Sequence, residues 1–221
     1  MSRSVHVGIV GGTGPAGMGL AVRLAAAGHE VVVGSRTATR AKEHVDEALD
    51  KWAGKSFSLV GEDNQEAARA DVVVLATPWD AAVATAKSLE EPLKGKVLVS
   101  MCNALHKVGD EFQWLIPARG SVAESVQTAL VGAHVGAAFH HLPARLLQNL
   151  DTPLDCDVLV CADRPEALDV TMQLVGAIPG LRPVNAGTLS MSGAIEAFTA
   201  VLLNVNVRHK ARSAIKLTGL G

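Results

Sequence analysis

Residues Val7-Gly8-Ile9-Val10-Gly11-Gly12-Thr13-Gly14-Pro15-Ala16-Gly17 decide the fold. A short apolar strand runs straight into Gly12-x-Gly14-x-x-Gly17, and the stretch after it, 18–27, reads as a helix. The glycine spacing alone says little; held between a strand and a helix it is specific. Gly12 permits a tight turn, Gly14 lets backbone N–H groups approach a pyrophosphate, and Gly17 lets helix and strand pack closely. The helix N-terminus then turns its positive dipole end to the phosphates. Thr13 adds a hydroxyl to the loop, while Pro15 removes a side-chain donor, so one phosphate contact falls to backbone alone. The reading is a dinucleotide-binding β-α-β unit at the head of the chain.

The next strand, Glu30-Val31-Val32-Val33-Gly34, tells which dinucleotide. An NAD site places a carboxylate at this strand's end, roughly 20 residues past the motif, against the ribose 2′-OH. Here the place holds Ser35-Arg36, with Arg40 four residues on, and no acid appears before Glu43. Ser35 donates a hydrogen bond, Arg36 meets a phosphate in a charge-assisted fork, and Arg40 lies one helical turn further along the same face. The cofactor expected is NADP, its 2′-phosphate held by Thr13, Ser35, Arg36 and Arg40.

Strands and helices alternate from there. A helix over 38–52 with Thr37 as its cap precedes a strand at 56–60 and a helix at 63–70. The β-branched run 71–76 is the pattern of a strand covered on both faces. A helix to residue 89, a strand at 96–100, a loop over 101–120 and a helix at 121–129 come next. A strand-like stretch at 130–139, a strand at 157–161, a helix at 166–178, an extended piece at 181–184 and a long helix over 189–216 close the chain. The order predicts an α/β protein: a doubly wound Rossmann-type parallel sheet with a smaller C-terminal α/β portion ending in a long helix. The division is expected at 1–134 and 135–221. In the last helix Ile195, Phe198, Val201, Leu202 and Val205 recur at helical spacing, a face suited to its own core or to a dimer seam.

Composition excludes several classes. A net charge of −2 leaves no footprint for nucleic acid. No apolar run of membrane-spanning length stands out. Met1-Ser2-Arg3-Ser4 leads into the first strand without an export signal. The three cysteines, Cys102, Cys156 and Cys161, fit neither a disulfide framework nor metal spacing, and read as reduced thiols in a cytoplasmic protein. Tyrosine is absent, which removes one common general acid.

Ligands of doubly wound sheets sit outside the carboxyl ends of the strands. Thr77-Pro78-Trp79, Met101-Cys102-Asn103 and Phe139-His140-His141-Leu142-Pro143-Ala144 fall at such ends. Pro78 stiffens its turn, Trp79 offers an aromatic wall, and Asn103 brings an amide. His140 and His141, with His134 nearby, raise a metal reading. Adjacent positions point apart, and no carboxylate or cysteine completes a ligand spacing, so no metal is expected.

These segments, taken with Leu20-Ala21-Val22-Arg23-Leu24, Gly28 to Arg36, Gly180-Leu181-Arg182-Pro183 and Gly187-Thr188-Leu189-Ser190, carry a resemblance over essentially the whole chain. The chain resembles the coenzyme F420:NADP oxidoreductases. The resemblance implies hydride transfer between reduced deazaflavin F420 and NADP, the nicotinamide lying against the deazaflavin. It implies that Thr13 to Ala16 hold the pyrophosphate, that Thr77, Asn103 and Ala144 flank the ribose and nicotinamide, and that His140 and Leu142 lie at the deazaflavin, with His140 fixing ring orientation. It further implies a homodimer joined through the C-terminal part. The residues themselves leave other readings open: an NADP-dependent reductase of an imine, keto acid, flavin or metal, or a non-catalytic NADP-binding sensor. A helical substrate domain with a catalytic lysine fits poorly, since Lys210 and Lys216 come very late.

Overall fold

The computed structural model describes residues 4–220; the reading of the first three residues lies outside them. The β-branched runs expected as doubly covered strands form the centre of one eight-stranded sheet. Strand β1 (His6–Val10) is followed by α1 (Pro15–Ala26), β2 (Glu30–Ser35), α2 (Ala38–Lys51), β3 (Leu59–Asp63), α3 (Asn64–Ala67) and β4 (Val72–Leu75). Then come α4 (Trp79–Ser88), α5 (Glu90–Leu93), β5 (Val97–Ser100), β6 (Leu105–Val108), β7 (Glu111–Trp114), α6 (Val122–Ala129) and β8 (His134–Ala137). The chain closes with α7 (Ala144–Leu147), β9 (Cys156–Ala162), α8 (Pro165–Gly176), β10 (Leu181–Gly187), a 3-10 turn at Leu189–Met191 and α9 (Ser192–His209).

The sheet order is β10-β9-β8-β5-β4-β1-β2-β3. Six strands, β3 to β8 across that order, pair in parallel. The expected parallel sheet needs one correction: β9 meets β8 antiparallel, and β10 follows β9 in parallel, so the last two strands oppose the rest. The expected boundary at 134/135 falls inside β8, and residues beyond it extend the same sheet.

Alternation sorts the core. Val72 and Val74 face one apolar layer with α1 and α8, while Val73 and Leu75 face the other with α4 and α6. Ile9, Val33, Val74 and Leu98 are fully buried, and each such side chain contributes roughly 1.5–3 kcal/mol.

Two expectations for 101–216 give way. The loop 101–120 contains the β6–β7 hairpin, turned at Gly109 and pinned to α9 where Asn204 bonds both the N–H and the carbonyl of Phe112 at 2.8 Å. The last helix stops at His209 because Lys210 turns left-handed, with φ 50. The chain then runs back to β9, where Asp157 donates its N–H to Ile215 and its carboxylate takes the Leu217 N–H at 2.6 Å. A guanidinium fork from Arg182, at 2.7 and 2.8 Å, holds that carboxyl well down, to about 2.

The helix Leu189–His209 reaches a mean hydropathy of 1.2, long and apolar enough to span a membrane, contrary to the sequence reading. It is apolar beyond the stripe it buries: Ile195 and Ala200 are in the core, whereas Phe198, Val201 and Val205 are exposed.

Candidate functional site

The crevice lies where the strand order reverses, between β1 and β4. β1 runs into Gly11, whose φ of 70 suits glycine. The Gly12 N–H then hooks the loop to the carbonyls of Ile9 (3.1 Å) and Gly34 (2.9 Å). Helix α1 starts with Pro15 in its first turn and Gly14 as its cap, with no side chain bonded to the first N–H groups. Those donors face the cleft.

A cleft of about 550 Å³ is lined by Thr13, Gly14, Pro15, Ala16 and Gly17 from the loop, Ser35 and Arg36 from the end of β2, Arg40 from α2, and Thr77 and Pro78 after β4. Gly12 is buried beneath the loop. Ser35 is nearly covered, whereas Arg36 and Arg40 are exposed. Thr37 caps α2 by accepting from the Arg40 N–H (3.4 Å), which sets Arg40 in the first helical turn. Trp79 is not among the lining residues; as the first residue of α4 it packs half-buried on the layer that holds Val73 and Leu75.

Asn103, His140, Leu142 and Ala144 form a second group at the ends of β5 and β8. The Asn103 amide donates to the His140 carbonyl (3.0 Å), and its Oδ1 is buried without a partner. Phe139, immediately before, has φ 67 and is buried, a strained backbone of the kind that marks sites. The His140 ring is 4% exposed and neither nitrogen has a partner. Burial, helped by His141, pushes its pKa down to about 3, so the imidazole is neutral at working pH. His141 faces elsewhere: its Nε2 accepts from the Leu159 N–H (3.2 Å), and burial lowers it to about 4. His134 begins β8, at the strand's opposite end. Among the described residues no group of three His, Cys, Asp or Glu is gathered for a metal.

The two groups are stitched together by residues that sequence reasoning missed. Asn64 Oδ1 takes the Gly11 N–H at 3.0 Å and also lines the cleft. It opens α3 right after β3. Gln148 reaches from beyond α7 to the Pro15 carbonyl (3.0 Å). Arg23 of α1 is buried and donates to the carbonyls of Leu146, Leu147 and Thr152, at 2.8, 3.1 and 2.9 Å, fixing the chain after Ala144. The Cys102 thiol, pushed up to about 12 by burial, stays protonated and points at the carbonyls of Leu75 (3.4 Å) and Thr77 (3.2 Å).

A glycine-loop crevice at the switch point of a doubly wound sheet, with serine and arginine in place of a carboxylate after β2, defines a Rossmann-type dinucleotide-binding protein. The chain belongs to the coenzyme F420-dependent NADP oxidoreductases, whose family pattern matches residues 6–104. It is 39% identical to the F420-dependent NADP reductase of Methanocaldococcus jannaschii over 98% of this chain and 99% of the relative. It is 36% identical to the enzyme of that name from Methanothermobacter marburgensis, over 98% and 99%. A solved structure from Arthrobacter sp. FB24 matches with TM-score 0.80 at 21% identity, covering 97% of this chain and 100% of that one. An imine reductase from Bacillus cereus matches with TM-score 0.61 at 17% identity, over 94% of this chain and 63% of that one. These two likenesses concern the fold alone.

Proposed function

We propose that this chain is an F420-dependent NADP reductase that moves a hydride directly between reduced coenzyme F420 and NADP. The observation that supports this reading is one cleft that gathers Thr13, Ser35, Arg36, Arg40 and Thr77, together with the Asn103 amide bonded to the carbonyl of buried His140. The glycine loop takes the pyrophosphate. Ser35, Arg36 and Arg40 take the 2′-phosphate, with Thr13 adding its hydroxyl. Thr77, Asn103 and Ala144 flank the ribose and nicotinamide, and His140 and Leu142 border the deazaflavin. The reacting carbons belong to the two coenzymes; the protein supplies position and a water-poor setting. A neutral His140 suits this role, because hydride transfer between rings needs no proton from it. Residues 135–221 supply the deazaflavin side of the site.

The test follows absorbance in the deazaflavin band after oxidised F420 is mixed with enzyme and NADPH, then with NADH. Bleaching with NADPH and little with NADH is expected. NADPH binding without bleaching would remove the deazaflavin reading.

The exposed apolar face of α9 supports a homodimer. Phe198, Val201 and Val205 of α9 are exposed, as are Trp114, Leu115 and Ile116 at the end of the hairpin that Asn204 pins to this helix. Phe198→Glu with Val201→Glu is expected to leave single chains in sedimentation velocity where the parent runs as pairs. A parent that sediments as single chains removes the proposal.

A further inference from the structure

A second cavity, of about 610 Å³, shares no lining residue with the dinucleotide cleft. It opens between the end of α1, the segment 55–57 before β3, the stretch 150–154 after α7 and the turn 179–180 before β10. Phe57, Leu150 and Leu154 wall it, with Pro153 and Pro179. Its polar side chains are Arg23, Lys55 and Ser56, and no acidic residue lines it. The walls are set by the fold. Gly180, at φ 84, lies so near the Leu154 carbonyl that a Cβ would run into it, and its own carbonyl takes the Cys156 N–H at 3.1 Å. The Lys55 N–H is held by the Trp52 carbonyl at 2.8 Å. A preformed, mainly apolar hollow of this size with a few polar groups is the usual form of a small-molecule site.

Arg23 tells what kind of molecule fits. Its side chain is 7% exposed. A guanidinium only donates, and it stays charged. Nε and Nη2 are spent on the carbonyls of Leu146, Leu147, Asn149 and Thr152. Nη1 has no hydrogen-bond partner among the described residues and yet is not shut off from solvent. Because Arg23 lines the cavity, that nitrogen opens on it. The charge is unanswered as well. Carbonyl dipoles satisfy donors, but a buried charge is ordinarily paired with an opposite one. Among the described residues no carboxylate forms an ion pair with Arg23, and Asp155 and Asp157, further along the chain, are taken by Lys216 and Arg182. Cys156 acts on Arg23, but burial pushes that thiol up, so it is neutral.

We propose that this cavity binds a small organic carboxylate, its head on Arg23 Nη1 and its apolar body against Phe57, Leu150 and Leu154. Lys55, exposed beside it, draws anions toward the opening. A carboxylate suits the hollow better than a phosphate. The walls are mainly apolar, so most of the ligand must be apolar too. A phosphate dianion would bring more charge and more acceptor oxygens than one free guanidinium nitrogen answers, and each left over is costly to bury. The site stands apart from the proposed hydride transfer and does not depend on it, since none of its residues borders the dinucleotide cleft.

Calorimetric titration of the full, nucleotide-free chain with phenylpropionate, its neutral amide and inorganic phosphate tests this. Phenylpropionate is expected to bind with Kd at or below about 1 mM, and the amide and phosphate at least roughly tenfold more weakly. Arg23 also fixes the chain after α7, so the cavity is altered at two exposed residues instead. Ala26→Trp fills the hollow and lowers phenylpropionate affinity at least roughly tenfold. Lys55→Glu reverses the charge beside it and lowers affinity roughly three- to tenfold. Both variants bind NADPH as the parent does. In heteronuclear NMR spectra the Arg23 Nε–H signal moves with phenylpropionate in the parent and stays in place in Ala26→Trp. A parent that does not bind phenylpropionate overturns the inference. So does an amide that binds as tightly as the acid, because the hollow then has no use for charge. Phosphate binding as tight as the carboxylate overturns the ligand class. Affinity untouched by Ala26→Trp, or phenylpropionate displaced by NADPH, overturns the placement in this cavity.

Discussion

Replacing Arg36 and Arg40 together by alanine is expected to lower kcat/KM for NADPH by roughly 10²–10³-fold and to leave that for NADH within about threefold. Each charge-assisted bond to a phosphate contributes about 1.5–3 kcal/mol, and the lower end applies here because both arginines are exposed. The loss sits in binding, because the 2′-phosphate is remote from the reacting carbons. It therefore appears as a raised KM with kcat nearly intact. The fold does not resist the change. Among the described residues neither arginine enters an ion pair. Arg40, moreover, stands in the first turn of α2, which has no acidic residue there, so its charge opposes the helix dipole. A cation in that position is explained by an anion arriving from outside the chain. Steady-state kinetics with both nucleotides decide the matter. Equal losses with NADPH and NADH would mean that the arginines serve the fold or the ribose and not the phosphate.

Much of this architecture was legible because the sheet is buried on both faces. Val31-Val32-Val33 and Val72-Val73-Val74 need no partner information to be read as central strands, and the glycine spacing fixes the first crossover. Legibility failed where structure depends on distant contacts. The strands Leu105–Val108 and Glu111–Trp114 are four residues each and mostly exposed, so no core pattern marks them. Their one signal was local: Gly109-Asp110 between two such runs is a hairpin turn pair. The end of α9 carries no glycine or proline, and Lys210 takes the left-handed turn instead. The antiparallel set of β9 leaves no trace in its residues, since Cys156–Ala162 is as buried as a parallel strand would be.

The site divides in the same way. Thr13, Ser35, Arg36 and Arg40 come from the first two crossovers, which sequence spacing specifies, and they line one cleft. Asn64, Gln148 and Arg23 act through bonds spanning 53 to 133 residues along the chain. A polar residue that serves a distant N–H or carbonyl looks, in sequence, like any solvated side chain. Trp79, an aromatic beside a strand end, opens α4 and packs half-buried on the core layer, and it is not among the residues lining the cleft.

The glycine loop separates fold from function at single-residue resolution. Gly14→Val is expected to lower NADPH affinity at least roughly hundredfold while lowering Tm by only about 2–4 °C. A Cβ at Gly14 meets no atom within 4 Å, and φ −70 with ψ 162 is backbone that any residue adopts. The stability cost is limited to a poorer helix cap, about 1 kcal/mol. Its branched side chain stands instead where the first-turn N–H groups meet the cleft, and it keeps the pyrophosphate from them. Gly17→Val behaves oppositely. There a Cβ comes within 2.9 Å of the Gly12 Cα and 3.0 Å of its carbonyl oxygen, both backbone atoms of the loop. The loop and α1 must separate, at about 1–3 kcal/mol, and Tm falls by roughly 5–10 °C. Calorimetric unfolding without ligand, paired with NADPH titration, reads the two effects apart. A stable Gly14→Val protein that binds NADPH as the parent does would move the phosphates away from this loop, and with them the whole placement of the dinucleotide. A Gly14→Val protein as unstable as Gly17→Val would mean that Gly14 is held by packing and not by a ligand.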